Sequence, residues 1–103
     1  MRFNRRNLDS ETVKQRIDPF AFYVREQDLA GQDRPNGCWM VAGLCPFHTD
    51  RFEGSFHVNL VSGGFNCFSC HAKGGDVISY TRQKYQLGFK PALSKLVSEW
   101  GVA

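Results

Sequence analysis

The sequence predicts an α+β fold: a small antiparallel β-sheet, clipped by a metal ion and flanked by short helices. Three observations carry that prediction. Cys45-Pro-Phe-His48 is answered, after eighteen intervening residues, by Cys67-Phe-Ser-Cys70. Two residues between paired ligands is the spacing at which a tight turn aims two side chains at one tetrahedral ion. Between the pairs, Ser55-Phe-His-Val-Asn-Leu-Val61 and Gly64-Phe-Asn-Cys67 read as two strands joined at a Ser62-Gly63 turn. Towards the two ends of the chain, apolar residues recur at helical spacing instead.

A chain of 103 residues is one domain, or a small core with an arm. Residues 1–9 are polar and basic without periodicity and read as a flexible arm, with residues 10–103 as the domain. There is no apolar run of membrane-spanning length and no signal-peptide pattern, so the expectation is a cytoplasmic protein. In that compartment the four cysteines point to metal binding rather than disulfides. A core this small gains from an ion, because the binding free energy becomes folding free energy.

The charge is mildly basic, 13 Lys and Arg against 10 Asp and Glu. Seven basic and six acidic groups fall in residues 1–35, two and two in 36–73, and four and two in 74–103. No bold basic patch announces a phosphate binder, and charge alone decides nothing. The aromatics are more pointed. There are nine Phe, three Tyr and two Trp, and five of the Phe lie between residues 47 and 68. Some must be core, but a sheet face of exposed rings also suits stacking on unpaired bases.

Taken in order, Ser10 is the expected N-cap of a helix over 11–17, with Val13 and Ile17 on one face. Asp18-Pro19 restarts the chain as cap and first helical residue, and residues 20–24 follow as a short helical or extended anchor. Residues 25–37 are charged and turn-rich and read as a loop, closing on an Asn36-Gly37 turn. Cys38 to Gly43 reads as a strand paired with the later hairpin. Beyond the second cysteine pair, Asp76 caps a helix running to Gln86 with Val77, Ile78, Thr81 and Tyr85 toward the core. Pro91 lies in the first turn of a last helix whose Ala92, Leu93, Leu96, Val97 and Trp100 form one apolar stripe, and Gly101 stops it.

Cys45, His48, Cys67 and Cys70 suit one Zn²⁺. Three thiolates and one imidazole leave no open coordination position, so the ion is structural and carries no catalytic water. An iron–sulfur cluster would normally ask for four thiolates. Cys38 is spaced wrongly for a knuckle and is expected to be a small buried thiol. His71 adjoins Cys70 and is expected beside the site or on the surface, and His57 faces outward if Phe56 and Val58 face the core. Asp50, Glu53 and Asp76 make no paired-carboxylate set for catalytic Mg²⁺, and Gly74-Gly75 lacks the residues of a phosphate-cradling loop. The chain reads as non-catalytic by itself.

Gly43-Leu-Cys-Pro-Phe-His48, Ser55-Phe-His-Val58, Cys67-Phe-Ser-Cys70 and Gly74-Gly-Asp-Val-Ile78 together resemble the N-terminal zinc-binding domain of DnaG-type bacterial and phage primases. The similarity runs from about Val13 to Gly101. It implies a zinc-ribbon fold, and it places the ligands on the same four residues as the spacing does. It also implies a module that binds single-stranded template and helps choose where primer synthesis begins. In such primases the polymerising chemistry sits in a separate TOPRIM domain. Only two residues follow Gly101, so the expectation is a recognition module without its catalyst, a fragment or a stand-alone protein of a plasmid, phage or other mobile element. Arg51-Phe-Glu-Gly-Ser-Phe56 departs from the family's Lys-Thr-Pro-Ser-Phe-like run by one residue, loses its proline and adds Glu53.

The leading functional expectation is therefore a single-stranded DNA-binding module in primer initiation. Trp39, Phe52 and Phe65 are the stacking candidates, and Arg34, Arg51 and Lys73 the phosphate contacts. Each ring is also a candidate for the core, because alternation assigns a face only once the register is known. Each cation is also a candidate for plain surface charge. The alternatives are a module that docks on a replication helicase or a primase catalytic subunit through its C-terminal helices, and a duplex binder.

Overall fold

The computed structural model describes residues 9–49 and 53–102. Four helices and four strands follow in the order α1 (Ser10–Arg16), α2 (Pro19–Glu26), β1 (Trp39–Val41), β2 (Phe56–Asn59), β3 (Phe65–Cys67), β4 (Lys73–Gly74), α3 (Val77–Tyr85) and α4 (Phe89–Trp100). The strands form one antiparallel sheet in the order β1-β2-β3-β4.

Side-chain caps set most helix starts. Asp9 caps α1 by accepting from the Glu11 N–H at 3.0 Å, so the cap lies one residue before the expected Ser10. Asp9 thus belongs to the folded domain, and the rest of the expected arm lies outside the described residues. Asp18 accepts from Ala21 N–H with Pro19 at the first helical position, and Asp76 accepts from Ser79 N–H, both as expected. Gly101 ends α4 in the left-handed conformation at φ +62°, which costs a glycine little.

The sheet contains two surprises. The Ser62-Gly63 turn is a longer loop, in which the Asn59 carbonyl accepts from Gly63 N–H and the Asn59 side chain accepts from Val61 and Ser62 N–H. Lys73 and Gly74, expected as the turn into a helix, add a short fourth strand against β3. At Gly74 a Cβ would sit 2.6 Å from the Phe65 ring, so only glycine lets β4 lie this close.

Strand alternation sends Met40, Phe56, Val58, Phe65 and Cys67 into the core. Against them pack Val13 and Ile17 of the α1 segment, Phe22 and Tyr23 of α2, Ile78 and Tyr80 of α3, and Leu93 and Leu96 of α4. Tyr80 is the hub, with its ring centroid 5.1–5.7 Å from those of Phe22, Tyr23, Phe47 and Phe65. Tyr85, assigned to the core by its helical spacing, is instead 40% exposed. It sits in the last turn, where its hydroxyl donates to Glu26 Oε1 at 2.8 Å. The apolar stripe of α3 is Val77, Ile78, Tyr80 and Thr81.

Candidate metal centre

The first ligand pair follows β1 and the second begins at the last residue of β3. Because β1 and β3 both run antiparallel to β2, their C-terminal ends meet at one end of the sheet. Both knuckles therefore close the same end. The Cys45 sulfur accepts from Phe47 N–H at 3.4 Å and the Cys67 sulfur from Cys70 N–H at 3.5 Å. Each turn thus folds around its first cysteine.

The four ligand atoms lie within 4.8 Å of one another. Zinc bonds of about 2.3 Å to sulfur and about 2.0–2.1 Å to nitrogen, at tetrahedral angles, place ligands ~3.8 Å (S···S) and ~3.6 Å (S···N) apart. Cys45 Sγ to Cys70 Sγ is 3.8 Å, and Cys67 Sγ to His48 Nε2 is 3.5 Å. The cluster fits one zinc ion. His48 Nδ1 lies 3.2 Å from the Thr49 carbonyl, which can only accept; Nδ1 therefore carries the proton and Nε2 is left to ligate.

Cys45 and Cys67 are buried, while Cys70 is at the surface. Burial pushes the Cys45 thiol up to about 12, with the neighbouring Cys67 and Cys70 adding to the rise. Burial also acts to raise Cys67, but the N–H groups of Cys70 and Ser69, with His48 and Cys70 side chains, outweigh it and bring it down to about 7. Cys67 is the more readily ionised thiol, and a cation is what makes a Cys45 thiolate tolerable in its buried place.

A residue overlooked in the sequence holds the first knuckle. Gln27 caps α2 and donates through Nε2 to the carbonyls of Ala42 at 2.8 Å and Leu44 at 2.7 Å, on either side of Gly43. Its Oε1 accepts from the Tyr80 hydroxyl. Core hub, helix end and metal loop are thereby tied together. Gln27 sits among charged, turn-rich residues, and nothing local marks it out.

Of the other expected site residues, Trp39 is 52% exposed on the outer sheet face and Lys73 is exposed on β4. Phe65 is corrected. It is 2% exposed against Tyr80 and Phe56, because β3 turns its first and third side chains inward, so it offers no ring to a ligand. Arg34 is exposed but paired with Asp18 at 2.7 Å, and it lies over the Phe20 ring. Arg51 and Phe52 lie outside the described residues. Cys38 is also corrected: it is exposed, because it precedes β1 at the sheet edge. It takes no part in the ligand cluster. His71 is at the surface and His57 faces outward, as expected. Phe68, between the two ligands of the second knuckle, is a further exposed ring at 62%. It meets His57 edge-on at 4.8 Å.

A four-stranded antiparallel sheet closed at one end by a Cys-His-Cys-Cys zinc site defines a zinc ribbon. The family model described as CHC2 zinc finger, the zinc ribbon of DnaG-type primases, matches residues 34–103, and the chain belongs to this family. Similar curated proteins include the DNA primase of Deinococcus radiodurans, 40% identical over 68 residues, and that of Mycolicibacterium smegmatis, 37% identical over 81. These alignments cover 66% and 76% of this chain, and 12% of each relative. The crystal structure of the Aquifex aeolicus primase (zinc binding and RNA polymerase domains) superposes with a TM-score of 0.65 at 24% identity, over 90% of this chain and 21% of that one. That likeness supports the fold.

Proposed function

We propose that this chain is a template-recognition module of DNA primase that binds single-stranded DNA during primer initiation. One observation carries the reading: the outer face of the sheet presents Trp39, Val41, His57 and Phe68 to solvent, with Lys73 at its far edge. No carboxylate occurs among the described side chains of that face. Beyond the His57–Phe68 contact these rings pack on no other described ring, and they suit the π-faces of unpaired bases, each stack contributing about 1–3 kcal/mol. A duplex hides those π-faces, so single strands are the preferred ligand. Lys73 supplies a phosphate contact. Arg51 and Phe52 remain candidates beside it, whereas Arg34, already held by Asp18, is the weaker one.

Zinc here is scaffold. The Cys-His-Cys-Cys group is the one metal-binding cluster among the described residues, and its coordination is closed. Nucleotide polymerisation is therefore assigned to another domain or chain, the source of the activity that the similar primases carry. No helix among the described residues is long and apolar enough to cross a membrane, which suits a cytoplasmic protein working on DNA.

Titrating labelled single-stranded and duplex DNA at two salt concentrations tests the proposal. Tighter binding of the single strand, weakening as salt rises, is the expected result. Failure to bind either form at low salt would overturn it in favour of docking on a helicase or catalytic partner, and equal affinity for both forms would remove the stacking argument.

A further inference from the structure

The register places Val41, His57, Asn66 and Lys73 side by side across all four strands. Adjacent strands are about 4.8 Å apart, so this row crosses the outer face from an apolar edge to a cation. Asn66 is the anomaly in it. Asparagine is depleted in strands because it packs poorly on a pleated surface, and Asn66 sits in the middle of an interior strand. Its amide makes no hydrogen bond among the described residues and stays open to solvent, while the residue as a whole is half-buried. The other asparagine of the face shows what a structural amide looks like. Asn59 Oδ1 accepts from Val61 N–H at 2.8 Å and Ser62 N–H at 2.9 Å, and so shapes the β2–β3 loop.

A locally unfavourable residue with an idle amide, on an exposed face, points to a ligand. Its neighbours say which kind. On one side the His57 and Phe68 rings meet with centroids 4.8 Å apart; on the other stands the Lys73 ammonium. A nucleotide whose base lies on the rings and whose phosphate reaches Lys73 lays the edge of that base over Asn66. A carboxamide offers one acceptor and one donor side by side, the pairing that base edges present.

We propose that Asn66 is a specificity-determining residue, reading the edge of one unpaired base through paired hydrogen bonds. This deepens, and rests on, the reading of the outer face as a single-strand binding surface. Stacking and phosphate contact are tolerant of sequence, so with His57 stacked and Lys73 on a phosphate the amide is the group of the row left to read a base edge.

The zinc-loaded chain, with Asn66→Ala, Asn66→Thr and Lys73→Ala variants, is titrated with short homopolymers of deoxyadenylate, deoxycytidylate and thymidylate. The native chain should rank the three, and both Asn66 variants should narrow that spread by about five-fold or more. Asn66→Thr should melt no lower than the native chain, since threonine favours strands. Lys73→Ala should weaken all three equally and flatten the salt dependence. If the native chain binds all three alike, or if the Asn66 variants keep the spread or weaken every strand by one factor, the inference fails while single-strand binding stands. A lowered melting temperature for Asn66→Thr would assign Asn66 a structural role and overturn it too. If the native chain binds none of them, the single-strand reading itself fails.

Discussion

The two faces of the sheet are built from the same twelve strand residues and do opposite things. On the inner face Phe56, Val58 and Phe65 are almost fully removed from water, and the two rings pack on Tyr80. On the outer face Trp39 and Val41 remain exposed, beside His57, Asn66 and Lys73. Composition does not separate the faces, since both carry aromatic and aliphatic groups. Partners do. Inner rings have neighbouring rings at stacking or edge distance, whereas among the described residues the outer ones have the single His57–Phe68 contact. Rings that the fold leaves in water are available to something else, and the zinc clip holds both faces in register while leaving the outer one uncovered.

Removing the clip should erase the distinction altogether. Chelating the zinc, or replacing one of the two buried ligands in Cys67→Ser, should abolish cooperative unfolding and one-to-one zinc content, read by circular dichroism and metal analysis. A folded, zinc-loaded Cys67→Ser chain would defeat the four-ligand assignment. Acid should release the ion as well, because each thiolate must take up a proton as the zinc leaves, so zinc affinity falls as pH falls.

Truncating one ring from each face should separate them next. Phe65→Ala should cost about 3–5 kcal/mol of stability in denaturant unfolding, as a large buried ring lost from a packed core. Trp39→Ala should change stability by no more than about 0.5 kcal/mol. It should instead weaken single-strand binding by about 1–3 kcal/mol. A destabilised Trp39→Ala with unaltered binding would move Trp39 to the structural side.

Gln27→Ala asks how the inner side supports the metal loop. It strands the carbonyls of Ala42 and Leu44 and the Tyr80 hydroxyl, so a loss of about 1–3 kcal/mol is expected, with weaker zinc retention against a chelator. The smallest effect belongs to Cys38→Ser, exposed and outside the cluster, which should keep its zinc and shift stability by less than about 0.5 kcal/mol.

Much of this was legible in the chain, for identifiable reasons. The ligands repeat a short spacing, and Asp18, Asp76 and Gly101 act on backbone within a few residues of themselves. Such signals are local, and they held. Ser10 was displaced by Asp9 because either oxygen can cap within one residue of the other, and the carboxylate also takes the Thr12 hydroxyl. Tyr80, rather than the expected Tyr85, is the core tyrosine of α3 because both fit a broad helical stripe, and what divides them is where α2 lies.

The sequence by itself determined the ligand set, three of the helices and the three longer strands, since each rests on residue type and short spacing, and its motifs carried the family resemblance. Tertiary structure decided which rings are core and which face water. A strand's alternation defines two faces without saying which one the helices will cover. The same packing buried Phe65, exposed Trp39 and Cys38, brought Gln27 to the metal loop, and left Asn66 on the open face with an amide unused among the described residues.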